Sequence, residues 1–285
     1  MKRVLCDQIG FKFQLCSDIH LERGIKISSY KSIINNNSGE SDVLFLAGDI
    51  GNPFSKSIKN FIKYTCENWK YVIHVNGNHE FYQTKNNIRT VNESRNQMQK
   101  LALEFDNLFV LDPGVIMIGG VCVIGATLWS YIPSYAKLVV SDRMNDYAVC
   151  FKETSPKYIN LSVDDTIEQH EKDLEFITKH ITTAIRMKQK TIVVTHHAPS
   201  LEHTSAKIYQ GIIQNPTTHA FATNLQYLFK NCGQEDNSTV DWWLFGHTHH
   251  NCKEIQHGTL LYSNQYGYGG QSSGNSYRSN DINKV

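Results

Sequence analysis

Six short apolar runs rich in β-branched residues punctuate the chain, at positions 13–16, 43–47, 71–75, 121–126, 191–195 and 242–245. Each stops at a polar or glycine-containing turn. Runs that are apolar at nearly every position predict strands buried on both faces, because a strand with one wet face alternates. Positions 115–118 and 121–124 flank Gly119-Gly120 and predict a hairpin with a primed turn. Between the strands the apolar spacing becomes helical. Ile58, Phe61, Ile62 and Thr65 mark one helix, and Ile88, Val91, Met98, Leu101, Ala102 and Phe105 a second. The longest covers about positions 163–188, with Ile167, Leu174, Ile177, Ile181 and Ile185 on one stripe. Ser162 is its expected N-cap. Asp164 and Asp165 open it and Arg186, Lys188 and Lys190 close it, as the helix dipole favours.

Strands alternating with helices predict an α/β fold with an antiparallel part from the hairpin. No linker-like shift divides the chain, so one domain is expected over 1–268, with 269–285, rich in Gly, Ser and Asn, as a poorly ordered tail. Asn35–Asn37 with Ser38-Gly39 is read as a loop. Positions 130–160 are read as an irregular excursion near the site.

Composition narrows the class. The 285 residues are 40% hydrophobic and 19% charged with a net charge of +1, which suits a globular protein and lacks the basic footprint of one built around a nucleic-acid backbone. No apolar run approaches the roughly 18 residues of a membrane span. Residues 1–14 lack the basic-then-apolar order of a secretory signal. The seven cysteines are odd in number, scattered and without Cys-x-x-Cys, so reduced thiols in a cytoplasmic setting are expected. Cys16 and Cys122 read as core residues.

Candidate chemistry sits just after the predicted strands. Ser17-Asp18-Ile19-His20, Gly48-Asp49, Gly77-Asn78-His79-Glu80, His196-His197 and Gly246-His247-Thr248-His249 each follow one apolar run. In α/β proteins, sites form where loops leave the carboxyl ends of strands, so five such clusters can converge on one crevice. If the backbone at Asp18 and His20 is extended, the two side chains project to the same side and grip one ion, and His247 and His249 pair likewise. Carboxylate, imidazole and amide donors without thiolate suit Mn, Fe, Zn or Mg. Asp49 is placed to bridge two ions, as in two-metal phosphatases and nucleases. A lone Asp-x-His is more often a solvated loop; five clusters in order are not.

The ordered set Asp18-x-His20, Gly48-Asp49, Gly77-Asn78-His79-Glu80, His196 and Gly246-His247-x-His249 resembles the signature of the calcineurin-like metallophosphoesterase superfamily, over roughly residues 12–268. The resemblance implies a four-layer α/β/β/α sandwich, two mixed sheets face to face with helices outside. It implies one metal site from Asp18, His20, Asp49 and His249, and a second from Asp49, Asn78, His196 and His247. The cofactor would be two divalent ions, manganese favoured. Catalysis would be attack by metal hydroxide, with His79, a non-ligand, assisting the leaving group. Either histidine of Thr195-His196-His197-Ala198-Pro199 could be the ligand; His196 follows the strand and agrees with the family's Thr-His-x-x-Pro pattern.

The protein Ser/Thr phosphatase branch keeps an acid shortly after Gly-Asp to support the histidine, and an Arg before the Gly-Asn-His motif. Here Ile50-Gly51-Asn52-Pro53 offers no acid and Asn76 stands before Gly77. Asp18 also differs from the Cys of the lariat-debranching branch. The expected function is therefore hydrolysis of a nucleotide or other small phosphorylated molecule, as phosphodiesterase or phosphatase. The alternatives are a protein Ser/Thr phosphatase or a catalytically silent scaffold of the same fold. No membrane or nucleic-acid partner is expected, and no substrate-binding residue is assigned. Arg143, Asn145, Asp146 and Tyr147 form a polar, aromatic patch that reads as a surface loop, the alternative being a substrate-facing one. His74, His170 and His180 read as structural or exposed, and Trp129, Trp242 and Trp243 as core aromatics.

Overall fold

The structure is a computed structural model that describes residues 2–4, 9–36, 39–84, 87–154, 157–209, 215–229 and 240–285. Cys6, Cys232 and part of the 35–39 loop lie outside them. Five strands form one sheet in the order Asn283–Lys284, Lys12–Cys16, Val43–Ala47, Tyr71–Val75 and Leu108–Val110. The last four run parallel and the first is antiparallel to its neighbour. A mixed seven-stranded sheet runs Lys2–Val4, Gly114–Ile118, Val121–Ala126, Thr191–Thr195, Val240–Leu244, Thr259–Tyr262 and Lys253–Gln256.

Period-two geometry explains how four layers assemble. Phe13, Phe45, Ile73 and Val75 pack inward against Ile116, Val123, Ile192 and Leu244 of the facing sheet. Their neighbours Leu44, Leu46 and Val72 point the other way, onto Ile58, Phe61, Met98 and Leu101. Those four belong to helices Lys56–Asn68 and Val91–Ala102. On the far side Cys122, Ile124, Val193 and Trp243 meet Ile177, Ile181 and Ala184 of helix Val163–Arg186. Both faces of each sheet are thus covered, and the continuous apolar runs follow from that. The expected α/β/β/α sandwich is the architecture found.

The local signals translate directly. Gly119 and Gly120, at φ of 52° and 79°, supply the two left-handed residues of the predicted hairpin turn. Ser162 caps the long helix through a capping box with Asp165. The second helix is shorter than its apolar spacing suggests. Thr90 caps it with Glu93, which leaves Ile88 outside, and Phe105 lies beyond its end.

Two segments depart from expectation. Positions 130–160 are ordered into helices Lys137–Arg143 and Asp146–Val149 and a hairpin of Phe151–Thr154 with Lys157–Asn160. Helices of one or two turns are too short to leave a periodic signature. The segment expected as a poorly ordered tail instead returns to the first sheet. Asn283 and Lys284 pair with Phe13 and Lys12, and Tyr277 Oη donates to Ile33 O at 2.5 Å. Polar side chains and backbone, rather than apolar periodicity, hold it there.

Among the described residues no helix is long and apolar enough to cross a membrane. Cys16, Cys66, Cys122, Cys150 and Cys252 are free thiols, and Cys16 and Cys122 are buried as expected. Trp129 and Trp243 are core residues, as are His74 and His170.

Candidate metal centre

The loops after strands Lys12–Cys16, Val43–Ala47, Tyr71–Val75, Thr191–Thr195 and Val240–Leu244 converge on one crevice. The backbone there is not the extended one that motivated the Asp-x-His reading. Asp18 and His20 both have φ of 55°, Asp49 has 55°, His247 has 69° and His249 has 47°. Left-handed non-glycine residues each cost on the order of 1–3 kcal/mol and gather where packing overrides local preference. Two tight left-handed bends, not a flat strand, bring the side chains to one side. Gly48, at φ of 84°, abuts the His196 ring, and a Cβ on Gly77 would collide with the Asp49 carboxylate.

Three overlapping groups of donors result among the described residues: Asp18, His20 and His249; His20, Asp49 and His79; and Asp49, His196 and His247, each with ligand atoms within 4.8 Å of one another. His20 Nε2 lies 3.1 Å from His249 Nε2, and His249 Nε2 lies 3.4 Å from Asp18 Oδ1. Asp49 belongs to the second and third of these groups. Its Oδ1 is 3.3 Å from His196 Nε2 and its Oδ2 is 3.9 Å from His20 Nε2. Asn78 Oδ1 is 3.0 Å from His196 Nε2. Every expected ligand is in the crevice, and all but His249 are buried.

The ligand rings are aimed by hydrogen bonds to their other nitrogens. His196 Nδ1 donates to Ala47 O at 2.8 Å, which turns Nε2 inward. His247 Nε2 sits 3.3 Å from Ala220 O, leaving Nδ1 as its free lone pair. Asn78 Nδ2 donates to Asp146 Oδ1 at 2.8 Å and to Tyr82 Oη at 3.2 Å, so its carbonyl oxygen faces His196. The buried Glu80 accepts from the backbone N–H groups of Asp49, Ile50, Gly51 and Gly77 at 2.9, 2.7, 3.2 and 2.6 Å, tying two of the loops together.

Charge follows this packing. Burial opposes ionisation of Asp49, yet His196 and His79 beside it hold its carboxyl well below the usual range. Burial disfavours a proton on His196, but the attraction of Asp49 outweighs it and lifts the ring to about 9. His79 behaves alike: burial is outweighed by Asp49 and Glu22, and its ring rises to about 9. His247 and His197, buried beside His196 or each other, are pushed far down and stay neutral. An anionic, oxygen- and nitrogen-only donor set with converging lone pairs fits hard or borderline divalent cations. Cation uptake at His196 would displace a proton.

His197 is in none of these donor groups. Its ring packs 4.1 Å from His247 and 5.2 Å from Trp129, between centroids. His79, expected as a non-ligand, shares a donor group with His20 and Asp49. Its N–H donates to Asp49 Oδ1 at 2.8 Å, its ring stacks on Tyr82 at 4.0 Å, and its side chain is 16% exposed to the crevice.

Glu22 was not read from the sequence, and Asp146 was read mainly as a surface residue. Glu22 Oε1 is 3.0 Å from His79 Nδ1 and 3.1 Å from His20 Nδ1. Asp146, expected on a surface loop, is buried against Asn78, and Arg143 and Asn145 line the crevice beside it. Their partners lie 57 and 68 positions away in the chain, at separations that no local pattern announces. The cavity beyond the donors has a volume of about 350 Å³, and Tyr82, Arg143, Leu201, Tyr209, Phe221 and Tyr268 form much of its wall.

This geometry is matched by sequence over most of the chain: the family model for calcineurin-like phosphoesterases fits residues 11–251. The chain belongs to the calcineurin-like phosphoesterase family. Among relatives of this phosphoesterase, an uncharacterized protein of Acanthamoeba polyphaga mimivirus is 29% identical over 279 residues, covering 94% of this chain and 96% of its own. Solved structures share the fold at lower identity. The phosphopantetheinyl hydrolase of Mycobacterium tuberculosis matches with a TM-score of 0.62 at 15% identity, over 90% of this chain and 89% of that one. A dimetal phosphatase from Danio rerio matches with a TM-score of 0.53 at 13% identity, over 89% and 86%.

Proposed function

We propose that this phosphoesterase is a dinuclear-metal-dependent hydrolase acting on a nucleotide or another small phosphorylated molecule. The observation that carries the reading is Asp49, whose two oxygens face His196 on one side at 3.3 Å and His20 on the other at 3.9 Å. Asp18, His20, Asp49 and His249 would hold one cation, and Asp49, Asn78, His196 and His247 the other. Cations held there supply Lewis-acid stabilisation of phosphoryl oxygens and a water acidified for in-line attack, with manganese the first ion to supply.

The remaining work falls to the chain itself. His79, with Nδ1 bonded to Glu22, presents Nε2 to the crevice as proton donor to the departing oxygen. The ring stays in place because Tyr82 stacks on it and Asp49 holds its backbone. The cavity of about 350 Å³ suits a small molecule, and its aromatic wall suits a planar leaving group such as a nucleoside.

The test is hydrolysis of bis(4-nitrophenyl) phosphate and 4-nitrophenyl phosphate with Mn²⁺ and with chelator, using Asp49→Ala as control. The expected result is turnover that needs the metal and vanishes in the control. The ratio of the two rates decides between diester and monoester preference. Turnover that survives both chelator and Asp49→Ala would contradict the reading.

A further inference from the structure

Glu22 lies in the turn Leu21–Arg23, directly after the Asp18-x-His20 motif. A single oxygen, Oε1, contacts two imidazoles: His20 Nδ1 at 3.1 Å and His79 Nδ1 at 3.0 Å. An ionised carboxylate only accepts, so both rings must carry a proton on Nδ1. The rings meet edge to face, 4.4 Å apart at 71°. With Nδ1 fixed, both Nε2 atoms come to 3.9 Å from Asp49 Oδ2.

Among the described residues no other hydrogen bond to the His79 ring sets that orientation. Stacking on Tyr82 fixes the plane of the ring but tolerates a half-turn within it, which would replace Nε2 by a carbon. The bond to Glu22 forbids the half-turn. His20 is governed by the same oxygen, so one side chain sets both a metal-ligating ring and the ring that faces the leaving group. The loop after Gly48-Asp49 offers no acid for this purpose, and Glu22 reaches His79 from a different loop.

We propose that Glu22 is a positioning residue, which aims His79 at the leaving-group oxygen and fixes His20 toward the first cation. This rests on the hydrolase reading above.

The experiment uses the full chain at saturating Mn²⁺ with two monoesters, 4-nitrophenyl phosphate and a simple alkyl phosphate. Glu22→Ala, Glu22→Gln, His79→Ala and the double variant Glu22→Ala/His79→Ala are compared, and Mn²⁺ affinity is measured by titration on each. Glu22→Ala should lower kcat on the alkyl ester about 10–10²-fold, with KM little changed, and much less on the nitrophenyl ester, whose leaving group needs no proton. Glu22→Gln, which keeps an acceptor oxygen, should recover part of the loss. In the His79→Ala background Glu22→Ala should cost no further turnover. Mn²⁺ binding should weaken about 10-fold whenever Glu22 is removed. Additive losses, or equal losses on both esters, would overturn the link to His79; unchanged Mn²⁺ affinity would overturn the link to His20. If the unchanged chain shows no metal-dependent turnover on any phosphoester, the hydrolase reading falls first and takes this inference with it.

Discussion

The side-chain amide of Asn78 donates to the carboxylate of Asp146 at 2.8 Å, across 68 positions of chain. That bond decides which end of the amide faces His196, since a carboxylate only accepts and so takes the NH₂ end. Asp146→Ala should therefore free the amide to rotate and weaken the second cation by roughly 10–100-fold, the usual scale for a partner behind a ligand. Mn²⁺ titration of the variant checks it. Two affinities identical to those of the unchanged protein would show that Asp146 does not orient Asn78.

Glu80 joins two loops through four backbone donors. Burial and the nearby Asp49 push its pKa up, while those donors favour the anion. Glu80→Gln would turn an NH₂ group toward N–H groups already in place. The expected cost is about 2–3 kcal/mol, seen as a melting temperature lower by several degrees. An unchanged melting curve would contradict this.

His74 is buried, with Nε2 3.2 Å from Asn76 Oδ1 and no partner for Nδ1 among the described residues. Burial pushes its pKa down to about 4. An unfolded histidine titrates near 6.5, so between about 6.5 and 4 the unfolded chain binds more protons than the folded one. This contribution to stability is complete above about 6.5 and shrinks as pH falls, by about 2 kcal/mol at about pH 5. Denaturant unfolding at about pH 7.5 and about pH 5 should show that loss, and His74→Gln should show a smaller one. Equal pH slopes would remove His74 as the cause.

What was legible in the sequence follows from how each feature is encoded. Strands Val43–Ala47, Tyr71–Val75, Val121–Ala126 and Thr191–Thr195 have the bounds expected, because burial on both faces writes an unbroken apolar run that polar turns cut off sharply. The strand expected at 242–245 is Val240–Leu244: Asp241 lies inside it, an interruption that hid its start. The candidate donors that share the crevice could be picked out because each follows a strand end. Why Asp18 and His20 converge was not visible. Left-handed backbone at Asp18 and His20 is imposed by tertiary contacts, among them Asp18 N–H to Gly48 O at 3.0 Å and His20 N–H to Asp49 O at 3.0 Å. Glu22 and Asp146 were hidden for a similar reason: an acid on a turn reads as solvated until the fold supplies its partner.

The central claim is that Asp49 is shared between two cations, and the most direct measurement is metal content joined to electron paramagnetic resonance of the Mn²⁺-loaded protein. Two ions per chain with an exchange-coupled spectrum are predicted, and Asp49→Ala should abolish the coupling. A single ion, or two ions whose spectra are those of isolated Mn²⁺ and unaffected by Asp49→Ala, would contradict the account.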